Sequence, residues 1–527
     1  MGVFFASLAA LRYISKPPTA GHYRMTQSNT QAPPLYSATQ LRELDRLAIA
    51  VAGIPGYTLM KRAAEACWEV MQSRWPAARS VAVFCGAGNN GGDGFIIACL
   101  ALQANCRVQL YQLGDPARMH PDAQQARDAF LSAGGVVQPF TAKSPIEAEI
   151  IVDALLGTGV DRPLEGLWRS AIAAMNATAT PVLAVDIPSG LQADSGAVAG
   201  VAVHARQTVT FIGRKTGMYT GAAADYCGDI HFTDLGVPAD ILGQVPVAAR
   251  LLRQPALGSL ATARRRNSHK GHYGHVLVIG GDHGMLGAAR LAGEAALRSG
   301  AGRVSIATRP EHAALMAAAC PELMCHGVDS SRQLRALLDS ATVLLIGPGL
   351  GRSAWAQSLL AVVLEASQPR VIDADALNFL AGEAAPFVRQ VLTPHPGEAA
   401  RLLDQTVARI QSDRFAAARA ITNQYGGTTV LKGSGTLIQP AGDDVPLVCA
   451  AGNPGMASAG TGDVLAGVIA ALIAQGMEVD AAAVAGVCVH ACAGDLAARQ
   501  GERGLMARDV VAALRTVLDA PRGTNEV

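Results

Sequence analysis

The chain has 527 residues, 50% of them hydrophobic and 16% charged, which excludes a disordered polypeptide and points to two to four domains. A formal net charge of +1 leaves no general electrostatic case for nucleic acid or an anionic membrane, and Arg264-Arg265-Arg266 with Lys270 is the only obvious basic patch. The ten cysteines are scattered without a CxxC pair, which fits reduced thiols in a cytoplasmic protein.

Met1 to Arg42 lacks acidic residues, carries Arg12, Lys16 and Arg24, and has an apolar stretch from Val3 to Leu11. A presequence has this composition, but an over-long start ahead of Met25 explains it more simply. Residues 1–35 are therefore set apart as disordered, presequence or over-long start. From Val81 the pattern becomes repetitive: a short β-branched run, a glycine turn, then a helical stretch. VAVFC (81–85) leads into GAGNNGGDG (86–94), and IVDALLG (151–157) and PVLAVDIPSG (181–190) follow as further buried strands. This is the signature of a parallel sheet covered on both faces. The pattern fades over Asp240–Ala263, where a domain boundary is expected. HVLVIGG (275–281) opens a second series, with a helical LGAARLAGEAALRSGAG (286–302) and strands in RVSIAT, ATVLLIGPGLG, RVIDADALN and TTVLKGSGT. The run Val464 to Ala474 is too short for a bilayer and is expected to be a buried helix. The prediction is α/β throughout, in two domains spanning 36–245 and 252–518.

Three turns of the first domain carry polar residues: GAGNNGGDG with Asn89, Asn90 and Asp93; Asp153 with GTGVDRP; and Asp186 with DIPSG. In open parallel sheets such turns gather at the carboxyl ends of the strands, where ligands bind. Each taken singly is an ordinary glycine turn. Together, an oxygen-rich set without His or Cys suits a hard cation better than zinc. In the second domain, GNPGMASAGTGD (452–463) runs directly into an apolar helix. A small-residue loop at a helix N-terminus exposes N–H groups to an anion, and phosphate is the expected guest. Asp463 beside it suits a base acting on a hydroxyl that attacks a phosphoryl group, although aspartate is also a good helix cap. LKGSGT adds Lys432 and another flexible turn, and TPHPGE places His395 before a helix that Glu398 would begin.

GAGNNGGDG, VDALLGTG and VDIPSG, in this order, resemble the NAD(P)H-hydrate epimerases over about residues 36–245. That resemblance implies that Asn89, Asn90, Gly91, Gly92, Asp93, Gly157, Thr158, Gly159, Val160, Asp161, Arg162 and Pro163 bind the hydrated dinucleotide. It also implies a potassium ion at Asn90, Asp153 and Ser189. Inverting the hydrated carbon needs a proton donor and acceptor, whether the hydroxyl leaves and returns or the ring opens and closes. Asp186 is the first candidate and Asp93 the second. GTGD resembles the ribokinase-like superfamily. With HPGE, the loop NPGMASAGTGD looks like the ADP- or ATP-dependent NAD(P)H-hydrate dehydratases over about residues 252–518. The resemblance implies an N-terminal Rossmann-like and a C-terminal ribokinase-like domain. It puts the nucleotide at Lys432, Gly433, Ser434, Gly435 and Thr436 and at Gly452, Asn453, Gly455, Gly460, Thr461 and Gly462, and the hydrate near Ala288, Gly349, His395 and Asp463. Magnesium would accompany the nucleotide phosphates.

Together the halves resemble bifunctional NAD(P)H-hydrate repair enzymes, an isomerase fused to a lyase, acting on small molecules, with neither nucleic acid nor membrane as partner. Scarce surface charge favours a homo-oligomer. The rival is a small-molecule kinase of the ribokinase-like kind, acting on a vitamin precursor and fused to a non-catalytic nucleotide-binding module. ADP and ATP both stay open as donors, with a lean towards ADP, as do the NADH and NADPH hydrates.

Overall fold

The computed structural model describes residues 32–252, 264–382, 386–442 and 444–519. The alternatives for residues 1–24 lie outside these, as does the part of the expected boundary at 253–263.

Ser80–Cys85, Ile150–Ala154 and Val182–Val185 are buried at every position, which a strand tolerates only inside a sheet covered on both faces. They belong to a seven-stranded parallel sheet in the order Val137–Pro139, Arg107–Gln112, Ser80–Cys85, Ile150–Ala154, Val182–Val185, Gln207–Phe211, Asp229–Thr233. Chain order reverses between Ser80–Cys85 and Ile150–Ala154. The crevice at that reversal is where such sheets take ligands.

The second half repeats this order in Met324–Gly327, Arg303–Thr308, His275–Ile279, Val343–Ile346, Arg370–Ile372, Gln390–Leu392 and Thr428–Leu431, all parallel, with its reversal between His275–Ile279 and Val343–Ile346. Thr436–Gln439 and Leu447–Cys449 then add on antiparallel. Three short strands from the first half complete a sheet of twelve: Ala249–Leu251, Pro34–Tyr36 and, at the edge, Arg214–Lys215. The α/β prediction holds, but the two halves share a ladder that no sequence pattern announces. Strands of two or three residues are too short to show a period of two.

The expected buried helix is Thr461–Ala474, buried at every position from Val464 onward and packed against Leu286–Arg298. Gly467 permits this packing, because a Cβ there would strike the carbonyl of Ala292. Helix Val479–Ala498 is long and apolar enough to cross a membrane by composition, yet it packs on Thr461–Ala474 and Ala507–Leu518 as a core helix.

The halves also meet away from the sheet. Thr220 Oγ1 donates to the Gly435 carbonyl at 3.0 Å, Gly221 N–H donates to the Ser434 carbonyl at 3.2 Å, and Arg414 Nε donates to Thr220 Oγ1 at 3.0 Å. Gly435 has φ +62°, and a Cβ on it would collide with the backbone of Tyr219 and Thr220. Gly435→Ala is therefore expected to destabilise the protein by about 2–4 kcal/mol, from left-handed strain plus overpacking. An unchanged thermal unfolding midpoint would show that this junction is soft.

Candidate functional site

A cavity of about 650 Å³ opens at the first reversal point, with Asn89, Asn90, Asp93, Gly157, Thr158, Gly159 and Asp186 on its walls. The Asn89–Asp93 stretch, expected as a loop, forms the first turn of helix Asn89–Gln103. Its glycines are needed for close approach: a Cβ on Gly91 would strike the Gly86 carbonyl, and one on Gly92 would strike Met60. Val160, Asp161, Arg162 and Pro163 do not line the cavity, and Asp161 to Pro163 are exposed. Asp186 takes a left-handed backbone, φ +68°, fixed by its N–H donating to the Val209 carbonyl at 2.7 Å. Its Oδ1 accepts from Lys215 Nζ, which also donates to Thr210 Oγ1 at 2.8 Å and is only 2% exposed. Asp93 is enclosed, and burial followed by the nearby Asp186 and Asp45 pushes its carboxyl well above the usual range.

Behind the cavity wall, Asp153 is fully buried and has no cationic partner among the described residues. Its oxygens accept from Ser189 N–H at 2.8 Å and Ser189 Oγ at 2.6 Å. Burial pushes its carboxyl up to about 6, against the pull of the Ser189 bonds. Asn90 Nδ2 donates to the Leu156 carbonyl at 3.1 Å, and Ser189 Oγ lies 3.2 Å from the same oxygen, so the three residues form one network. Asn90 Oδ1 is buried without a hydrogen-bond partner among the described residues. An orphaned carbonyl oxygen costs about 1–3 kcal/mol. Set beside a buried carboxylate, it fits a hard cation held by oxygen alone.

At the second reversal point, Gly349 (φ +57°) and Ala288 adjoin, since a Cβ on Gly349 would lie 3.2 Å from that of Ala288. Further along the same strand ends, Lys432 Nζ lies 2.7 Å from Asp373 Oδ1 and 3.7 Å from Glu398 Oε2. Burial opposes the ammonium, but Asp373, Glu398 and Asp463 outweigh it and hold the Lys432 pKa above its ordinary value. Asp463 stands in the first turn of Thr461–Ala474. Burial and then Asp373 push its carboxyl up to about 7, with Lys432 opposing. His395 is a helix cap: its Nδ1 accepts from Gly397 N–H at 2.9 Å and Glu398 N–H at 3.2 Å, closing the start of Pro396–Leu402.

The glycine loops at this end present donors. Arg414 Nη2 holds the carbonyls of Leu431, Lys432 and Gly435 at 3.2, 3.2 and 3.4 Å. Gly433, Ser434 and Gly435 donate their own N–H groups to no backbone or side chain among the described residues. Gly460 (φ +92°) caps Thr461–Ala474 without a side-chain bond, so the first N–H groups of that helix are open as well. Gly462 faces Lys432 Nζ, 3.2 Å from where a Cβ would stand, which brings the ammonium beside the same helix end. Asn453 is tied to Asp495, Nδ2 to Oδ1 at 3.0 Å, and accepts from Gly455 N–H at 3.1 Å.

A family profile described as YjeF-related protein N-terminus matches residues 56–217, and one described as NAD(P)H-hydrate dehydratase matches residues 276–515. The chain is 47% identical over 486 residues to the bifunctional NAD(P)H-hydrate repair enzyme Nnr of Coxiella burnetii, covering 92% of this chain and 99% of that one. The chain belongs to the bifunctional NAD(P)H-hydrate repair enzymes. The Escherichia coli repair enzyme Nnr is 43% identical over 92% of this chain and 94% of its own length. Among solved structures, the ADP/ATP-dependent NAD(P)H-hydrate dehydratase of Bacillus subtilis, co-crystallised with ATP and Mg²⁺, is 30% identical over 50% of this chain and 96% of its own, with a TM-score of 0.46.

As a member of the repair enzymes, the protein joins an epimerase half to a dehydratase half, and the vitamin-precursor kinase reading is set aside. Four residues that face these sites in the repair enzyme are not singled out by any sequence motif: Asp45, Lys215, Asp373 and Arg414. Lys215 does leave a trace, as a lysine between glycines shortly after the buried run TVTF. Asp45 and Arg414 sit in helices of ordinary composition and leave none.

Proposed function

We propose that the epimerase half, 36–245, inverts the hydrated carbon of NADH or NADPH hydrate in the 650 Å³ cavity, and that the dehydratase half, 252–518, removes water from the S hydrate at the expense of ADP or ATP. Support for the second step comes chiefly from one observation: Asp463, Lys432 and the open N–H groups of Thr461 to Asp463 meet at a single helix end, with further open N–H groups in the turn that follows Lys432. Lys432 and the N–H groups of Gly433 to Gly435 and Thr461 to Asp463 bind phosphate oxygens. Asp463 takes the proton of the ring hydroxyl as it attacks the terminal phosphoryl group. Phosphate then leaves, because it departs far more easily than hydroxide and the ring nitrogen can supply the electron pair, and the neighbouring ring carbon loses a proton to form the double bond. Magnesium bound with the nucleotide would be held chiefly by the phosphates and would neutralise their charge. Ala288, Gly349 and His395 would border the hydrate.

In the epimerase half, Asp186 is the carboxylate that meets the substrate, held by Lys215. Potassium would be held by Asn90 Oδ1, Asp153 and Ser189, and would fix the helix start at Asn89 against the turn at Gly157. Asn90→Ala is expected to abolish any dependence of epimerisation on potassium. Equal wild-type rates in potassium and tetramethylammonium buffers would overturn the ion assignment. Ten free cysteines suit the reduced conditions of the cytoplasm.

The deciding assay is recovery of reduced-nicotinamide absorbance from racemic NADH hydrate with magnesium and ADP or ATP. Full recovery in the wild type, about one epimer's share at early times in Asp186→Ala, and none in Asp463→Ala are expected. Nucleotide consumption without recovery would sink the dehydratase assignment.

A further inference from the structure

Asp45 lies in helix Ala38–Ala50, whose Leu41, Leu44, Leu47 and Ala48 are buried in the core. The helix is fixed at its start by a capping box between Ser37 and Gln40 and by Asp194, which accepts from Ala38 N–H at 2.6 Å. Asp45 is thereby carried to the wall of the epimerase cavity, where Lys215 is the cation that acts on it. The bland explanation is a solvated aspartate on an outer helix face. Against it, Asp45, although exposed, lines the cavity together with Asp186 and Lys215.

The two carboxylates differ in freedom. Asp186 is locked: Lys215 binds its Oδ1, and Lys215 is itself held by Thr210 and by the carbonyls of Phe211 and Gly213, both at 3.4 Å. Asp45 has no such bond among the described residues. Burial, then Asp186, push its carboxyl up to about 6, with Lys215 opposing. The other charged or titratable groups on the cavity wall are Arg42, Asp93, His120 and Asp122. Of the three inner carboxyls, Asp93 is buried, with 8% of its surface exposed, and Asp186 is engaged by Lys215. Only Asp45 is both free and exposed to the cavity.

We propose that Asp45 is the proton-transfer residue of the epimerase and works against the fixed Asp186–Lys215 pair. Asp45 gives its proton to the hydroxyl oxygen on the hydrated carbon. The carbon–oxygen bond breaks, water departs with the bonding pair, and the ring nitrogen lone pair supports the cation. Water then adds to the opposite ring face and loses a proton to Asp45, so no atom or electron is gained or lost. The proposal rests on the cavity being the epimerase site.

The test is conversion of pure R hydrate to S, followed by chromatography without nucleotide, with turnover of pure S hydrate by the dehydratase half as a check on folding. Asp45→Asn should lower epimerisation roughly 100-fold and leave S turnover within about twofold. Wild-type epimerisation should decline as pH rises above about 6. Asp45→Asn should lose that limb and Asp45→Glu restore it. Epimerisation by Asp45→Asn that stays near wild type, or falls with the pH limb intact, would overturn the proposal. Asp186→Asn run alongside separates the failures. If it abolishes epimerisation while Asp45→Asn does not, only Asp45 loses its role. If neither matters, the cavity is not the epimerase site.

Discussion

Asp463→Asn is expected to lower dehydration of the S hydrate by roughly 10³-fold while making the protein more resistant to heat. The two effects have one cause. Asp463 is a carboxylate among carboxylates, with Asp373, Asp375 and Glu398 raising its pKa and only Lys432 opposing, and burial adds to the cost of its charge. Lys432 keeps Asp373 and Glu398 as partners when Asp463 is neutralised, so little is lost in exchange. The sign with pH follows. Folded Asp463 holds its proton up to about 7, whereas the unfolded carboxyl releases it near about 3.9. Its contribution to stability is therefore fully present below the lower value and is lost as pH rises through about 7. The asparagine variant should match the wild type at low pH and exceed it above neutrality. Activity runs the other way, since a base must be ionised: wild-type kcat should climb through pH about 7 and level off. A variant that dehydrates at near wild-type rate would leave Asp463 as a first-turn carboxylate facing the helix dipole and nothing more.

That stability and activity oppose each other at Asp463 bears on what the sequence could reveal. The parallel sheets were legible because fully buried strands have no polar face, so VAVFC and HVLVIGG stand out as continuous runs between glycine turns. The turns were legible for a related reason. Gly91 and Gly460 are required by close approach or left-handed backbone, and such positions cluster where strands hand over to helices. What stayed hidden depends on distance along the chain. Lys215 reaches Asp186 across 29 residues, Lys432 reaches Asp373 across 59, and Arg414 meets Thr220 across 194. No local pattern records such pairings. The shared ladder was hidden too, because Pro34–Tyr36, Arg214–Lys215 and Ala249–Leu251 draw their register from one another and not from any periodicity of their own. His395 shows the reverse case. The resemblance set it near the hydrate, and the fold adds that its Nδ1 is occupied by the helix it caps.

Lys215→Met should abolish epimerisation and cost about 3–5 kcal/mol of stability, the usual penalty for leaving a buried charge without its partner. Lys215 sits on the outermost strand of the twelve, paired with Tyr36, and its ammonium is spent entirely on groups of the first half: Asp186, Thr210, and the carbonyls of Phe211 and Gly213. Its removal leaves Asp186 with only long contacts, to Thr210 Oγ1 and Phe211 N–H at 3.4 Å each. Asp186→Asn should likewise destabilise, now by stranding the ammonium. The two losses should not add. With both charges gone the pair leaves no stranded charge behind, and the Lys215→Met, Asp186→Asn double variant should recover to within about 1–2 kcal/mol of the parent, a coupling of the size expected for groups in contact. Epimerisation should stay absent in all three, while the S hydrate is still dehydrated. Recovery of stability without activity would show that the pair is kept for its chemistry and not for its strength. Additive losses would mean that Lys215 supports the strand junction between the halves, and that Asp186 holds its left-handed backbone without it.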